Sequence, residues 1–147
     1  MRRPLVARTA AVLGALGAVS AWSVLPWAQY GSFAIELDRF PGWFWYVGTT
    51  IVLNLFSGWV VTGRPGSRPT VLVAGYALTA ATIVAAVVVA AAYRDGTALF
   101  GPIVPAVVPR LGVGAVVAVL AALANAVAFT VAAPNASTVA PAARQRV

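Results

Sequence analysis

Residues 25–46 read LPWAQYGSFAIELDRFPGWFWY, and how this stretch is threaded decides the fold. It holds more than half of the chain's aromatic residues and two of its three carboxylates, Glu36 and Asp38. On either side lies an apolar run long enough to cross a bilayer, which takes about 20 residues of helix. The stretch is therefore read as a connection between two spanning helices.

The composition agrees. Hydrophobic residues make up 61% of the chain and charged residues 9%, against roughly 25% charged in ordinary soluble domains. With no cysteine and no histidine, the chain lacks disulfides, thiolate and imidazole metal sites, and Cys/His or Ser/His/Asp catalytic machinery. No cofactor or metal is expected.

Four windows are long and apolar enough to span: 9–28, 43–62, 70–92 and 111–132. None contains an acidic or basic side chain. The expected fold is an all-α membrane protein, a four-transmembrane-helix antiparallel bundle forming one domain over 1–132. A disordered cytoplasmic tail is expected over 133–147, where composition offers little to bury. The seven residues GRPGSRP (63–69) read as a tight helical connection, whereas the connections around 29–42 and 93–110 are longer.

The positions of the arginines orient the chain, because loops retained in the cytoplasm are enriched in Lys and Arg. Arg2, Arg3, Arg8, Arg64, Arg68, Arg144 and Arg146 fall on one side with no acid among them. Glu36, Asp38, Arg39, Arg94, Asp95 and Arg110 fall on the other and sum to zero, so the whole net charge of +7 faces one way. Both termini are expected in the cytoplasm and the two longer loops outside. The cations flank spanning helices rather than forming a stripe on a folded face, which argues for lipid contact and against nucleic acid. A signal peptide cleaved after Ser20 is the rival reading of the N-terminus; the apolar run continues past Trp22 and favours a retained helix.

Helix association in lipid relies on close packing and interhelical hydrogen bonds. Ala10, Gly14 and Ala18, then Ala77, Ala81 and Ala85, then Gly114, Ala118 and Ala122 offer small-residue stripes. Asn54 and Asn125 fall near the middle of their helices and are expected to make interhelical polar contacts, since an unpaired amide in hydrocarbon costs several kcal/mol. A lining for a permeation path is the alternative use.

In the first outer loop Phe33, Ile35 and Leu37 alternate with Ala34, Glu36 and Asp38, the period of a short strand with one apolar face. In the second, LFGPIVPAVVP (99–109), the prolines argue for an irregular cover. Trp27, Tyr30, Trp43, Trp45 and Tyr46 are expected as anchors at the headgroup level. Arg110, a cation at a helix N-terminal end, needs compensation. Pairing with Glu36 or Asp38 would tie the loops together, with a lipid phosphate or simple solvation as alternatives. Glu36, Asp38, Arg39 and Arg110 are thus the candidate interaction residues, and no catalytic residue is expected.

The steps Leu25-Pro26-Trp27 and Pro41-Gly42-Trp43 resemble those of small four-helix membrane proteins of high-GC Gram-positive bacteria, in which an outward loop follows the first helix. The resemblance implies a similar architecture and brings no catalytic residues. The function expected is that of a non-enzymatic accessory or scaffold protein. Its outward loops would meet a membrane or envelope protein partner or a second copy of the chain; a small transporter or channel subunit is the alternative.

Overall fold

The computed structural model describes residues 2–63, 67–102 and 106–133. Arg64 and the tail beyond Ala133, with Arg144 and Arg146, lie outside the described residues. Four long helices dominate: α1 (Arg2–Ser23), α2 (Trp43–Thr62), α3 (Arg68–Ala91) and, after the short α4 (Gly96–Phe100), α5 (Val113–Ala132). All four long helices are long and apolar enough to cross a membrane. Only 22% to 39% of each helix's apolar window is buried within the protein. Side chains such as Leu13, Leu55, Val73 and Leu120 stay exposed on the outer faces, where lipid rather than water is the fitting solvent. This is the anatomy of a multi-pass membrane protein.

The first helix ends earlier than expected, at Ser23 rather than residue 28. Pro26 disfavours helical backbone in the residue before it, and the last turn is closed locally. The amides of Val24 and Leu25 both donate to the Ser20 carbonyl, at 3.1 and 3.0 Å. The Trp27 indole then folds back to donate to the Ala21 carbonyl at 2.7 Å. Thus the Leu-Pro-Trp step is a helix stop whose tryptophan occupies one of the carbonyls left orphaned at a helix end.

Beyond this stop the chain enters a small antiparallel sheet: β1 (Ala28–Tyr30), β2 (Phe33–Ile35) and β3 (Pro109–Leu111), in the order β2-β1-β3. Gly31, at φ 62°, supplies the left-handed backbone of the β1–β2 turn. The second long connection is therefore more than an irregular cover. It carries α4 and an edge strand, and Pro109 fits as the first residue of that edge, where a missing N–H costs no ladder bond.

Packing between the helices uses the expected small residues Gly114, Ala118 and Ala122 on α5 and Gly14 and Ala18 on α1, all buried, while Ala10 is half-buried and Ala21 extends the α1 face. These two helices make the most extensive contact of the bundle. On α3 the expected stripe is displaced: Ala77 and Ala81 are exposed and Ala85 is half-buried. The inward face is instead Val71, Gly75, Thr79, Thr82 and Ala86. Gly75 sets that rotation, because a Cβ there would lie only 2.6 Å from the Phe129 ring.

Candidate functional site

The sheet end of the bundle forms a cap built around aromatic side chains. Trp27 is fully buried and meets the Tyr46 ring edge-on at 5.0 Å and the Phe40 ring at 6.3 Å. Tyr30 packs edge-on against Phe100 at 4.9 Å, and its hydroxyl donates to the Tyr93 carbonyl at 2.5 Å. Leu37 and Phe40 complete this core. Trp27, Tyr30 and Tyr46, expected as headgroup anchors, are thus enclosed by protein at 0%, 2% and 1% exposure. The sheet and the loop after it fold over these rings and bury them. Trp45 is 66% exposed, as an interface side chain would be, and Trp43 is half-buried against the cap core.

Backbone bonds lock this cap to α5. The Gly112 amide donates to the Trp27 carbonyl and the Gly114 amide to the Pro26 carbonyl, both at 2.9 Å. Neither glycine has room for a side chain: a Cβ at Gly112 would overlap the Pro26 carbonyl, and one at Gly114 would lie 2.7 Å from the Trp27 ring. Leu25-Pro26-Trp27 and Gly112-Val113-Gly114 are two halves of one latch.

The candidate charged residues sit on the rim of the cap. Phe33 to Ile35 form β2, but the alternation does not continue, since Leu37–Arg39 is a 3-10 turn that buries Leu37 and leaves Glu36, Asp38 and Arg39 exposed. A concavity of about 400 Å³ is lined by Glu36, Asp38 and Arg39 with Leu99 and Phe100. Arg110 lies elsewhere. It is opposite Gln29 in the β1–β3 register and borders a second concavity of about 560 Å³ with Gly31, Val107 and Val108.

The expected ion pair between Arg110 and Glu36 or Asp38 is therefore not formed. Strand β1 lies between β2 and β3, and adjacent strands are about 4.8 Å apart, so roughly 10 Å separates the two edges. The outer loops are tied together, but by backbone pairing rather than by charge.

The third carboxylate has a structural task. Asp95 accepts from the Thr97 hydroxyl at 2.6 Å and the Ala98 amide at 3.1 Å, capping α4. These bonds hold its carboxyl below the usual range. Burial, with the Asp95 charge as a second cause, pushes the Tyr30 phenol above its usual value. Arg94 donates to the Tyr93 hydroxyl at 2.8 Å and lies over that ring at 5.4 Å. Among the described residues no group of three or more metal-ligating side chains is gathered.

Deeper in the bundle the two asparagines meet. Asn125 is 1% exposed and donates to Asn54 Oδ1 at 3.2 Å and to the Ala121 carbonyl at 3.1 Å, while Asn54 donates to the Thr50 carbonyl at 2.8 Å. Gly14 of α1 faces this pair, and a Cβ there would overlap the Asn125 amide. Three helices therefore converge on one amide contact. Asn54, itself half-buried, is not an isolated polar residue on α2, because Tyr46, Thr50 and Ser57 lie three, four or eight residues away and are buried. Their recurrence every three or four residues is the signal in the sequence that marks this polar face. No protein-family model, curated protein or solved structure matches the chain.

Proposed function

We propose that this chain is a non-enzymatic accessory or scaffold protein of a bacterial inner membrane, with both termini in the cytoplasm and the cap outside. The arginine asymmetry supports that orientation, and the resemblance of the Leu-Pro-Trp step supports the bacterial setting. One observation carries the reading: a cap fixed by a buried aromatic core turns apolar side chains outward beside charged ones. Phe33 and Val108 are 62% and 83% exposed; Phe33 immediately precedes in sequence the segment that lines the Glu36, Asp38 and Arg39 concavity, and Val108 lines the Arg110 concavity. Exposed apolar groups beside charge on a rigid platform suit a protein surface better than solvent.

In vivo crosslinking from position 33 or 108 in native membranes, followed by mass spectrometry, tests this. A reproducible neighbour, either an envelope protein or a second copy, is expected, and Val108→Ser should weaken its capture from position 33, as Phe33→Ser should from position 108. Capture of no consistent neighbour from either position contradicts the reading. The polar face of α2 favours a second reading, a transporter or channel subunit. That subunit would tolerate the rim changes and respond instead to Asn54 or Asn125.

A further inference from the structure

Where α3 and α5 approach the cap, alanines on both helices leave a hollow of about 440 Å³ between them. Ala86, Ala90 and Ala115 are buried within it, and Tyr93 and Leu111 stand at its cap end. Tyr93 alone among the lining residues carries a polar side-chain atom. So apolar a hollow excludes water, and left empty it would forfeit the dispersion contacts of its walls.

Its depth and width select an occupant. From Tyr93 down to Ala86 the hollow descends about 10 Å at 1.5 Å per residue, within the roughly 15 Å that one leaflet contributes to the hydrocarbon core. The volume of about 440 Å³ over that depth leaves a cross-section of roughly 40 Å², whereas a helix 10–12 Å across fills roughly 80–110 Å². A hydrocarbon chain of one leaflet fits these dimensions better than the helix of a second copy.

A cation stands at the mouth. Arg94, in the 3-10 turn Ala92–Arg94, donates through Nε to the Tyr93 hydroxyl and lies over the Tyr93 ring. The Tyr93 carbonyl is in turn held by the Tyr30 hydroxyl, so the guanidinium is fixed to the cap. The adjacent acid, Asp95, is committed to the Thr97 hydroxyl and the Ala98 amide. Arg94 is exposed, and its guanidinium offers the fork of donors that suits a phosphate. Arg110 is turned elsewhere, because side chains alternate along a strand: Leu111 lines the hollow and Arg110 borders the concavity beside Gln29.

We propose that this groove binds one anionic phospholipid from the leaflet on the cap side, with an acyl chain between α3 and α5 and the phosphate at Arg94. A zwitterionic headgroup brings its own cation to the phosphate, whereas an anionic one leaves that charge to the arginine. The site rests on the membrane placement of the bundle and holds for either orientation of the chain.

Photocrosslinking of the full chain in phosphatidylcholine bilayers, with trace phosphatidylglycerol or phosphatidylcholine carrying a diazirine on one acyl chain, tests the site. Peptide mapping should find the phosphatidylglycerol label several-fold enriched at residues 86–93 and 111–120 over the lipid-facing side of α2 around Leu55. The phosphatidylcholine probe should label the groove several-fold less. Arg94→Gln should remove that preference and Arg110→Gln should retain it. Ala91→Phe, which fills the groove from an exposed lining position, should remove the enrichment. In the unaltered protein, even labelling of the groove and of α2 would overturn the proposal. Equal labelling by the two probes would overturn the headgroup assignment, and chain-to-chain crosslinks from a photoreactive side chain at position 91 would overturn the lipid occupant in favour of a second copy.

Discussion

The cap and the bundle are held together by opposite means. In the cap, large rings are packed to completion, and Trp27, Tyr30, Phe40 and Tyr46 are essentially inaccessible. Between the helices many close contacts are made by glycine and alanine, with one amide pair at the crossing of α1, α2 and α5 and a second apolar cluster of Leu53, Val60, Val71 and Phe129 beside them. The difference comes from the solvent on each side. Lipid gives apolar side chains no reason to leave it, so helices gain by close approach and by interhelical polar contacts. Beyond the hydrocarbon, water returns, and burying aromatic surface becomes the dominant stabilising term.

Breaking the cap should therefore have the largest effect. Trp27→Ala removes a buried ring and the bond to the Ala21 carbonyl, and is expected to destabilise by about 3–5 kcal/mol. The measurement is unfolding in mild detergent, where Trp27→Phe should retain most of that stability and lose about 1 kcal/mol with the indole bond. Gly114→Ala should come next at about 1–3 kcal/mol, since the added methyl group must displace the Trp27 ring. Limited proteolysis of the sequence around residues 24–36 would report that displacement.

In the bundle the expected effects are smaller. A double-mutant cycle between Asn54→Ala and Asn125→Ala, read by unfolding in lipid, should give a coupling of about 0.6–2 kcal/mol. Larger coupling would mean that the bundle depends on polar contacts as heavily as the cap depends on its rings. Acid should touch the cap alone. With its pKa depressed on folding, Asp95 stabilises the α4 cap in full above its usual 3.8. That contribution fades as pH falls from there through the lower folded value. Asp95→Asn should remove this acid dependence from hydrogen exchange at the α4 amides. Smallest of all is the coupling between Arg110→Glu and Glu36→Arg, expected near zero because the sheet keeps those positions apart.

The bundle is legible in the sequence because hydropathy and length are local properties. The α2 window coincides with its helix, and Asn54 and Asn125 stand out by depth alone. The cap is not legible in the same way. Whether Trp27 sits in the headgroups or folds back on Ala21 depends on Gly112 and Gly114, more than eighty residues later. Aromatic density is the same signal in both cases. Charge and side of the membrane group Arg110 with the two acids, and only strand order separates them. The α3 stripe fails for a related reason: alanines at regular spacing are common in such a chain, whereas the glycine opposite Phe129 decides which face turns inward.

The central claim is that the loops after α1 and before α5 form one folded cap latched to the bundle, rather than two separate connections. Hydrogen exchange with mass spectrometry in lipid nanodiscs tests it at peptides covering residues 26–35 and 109–114. Both should be protected together, at a level well above that of free loops, and both should lose protection in Trp27→Ala. Rapid exchange at the Gly112 and Gly114 amides in the unaltered protein would contradict the latch and the rigid platform that depends on it.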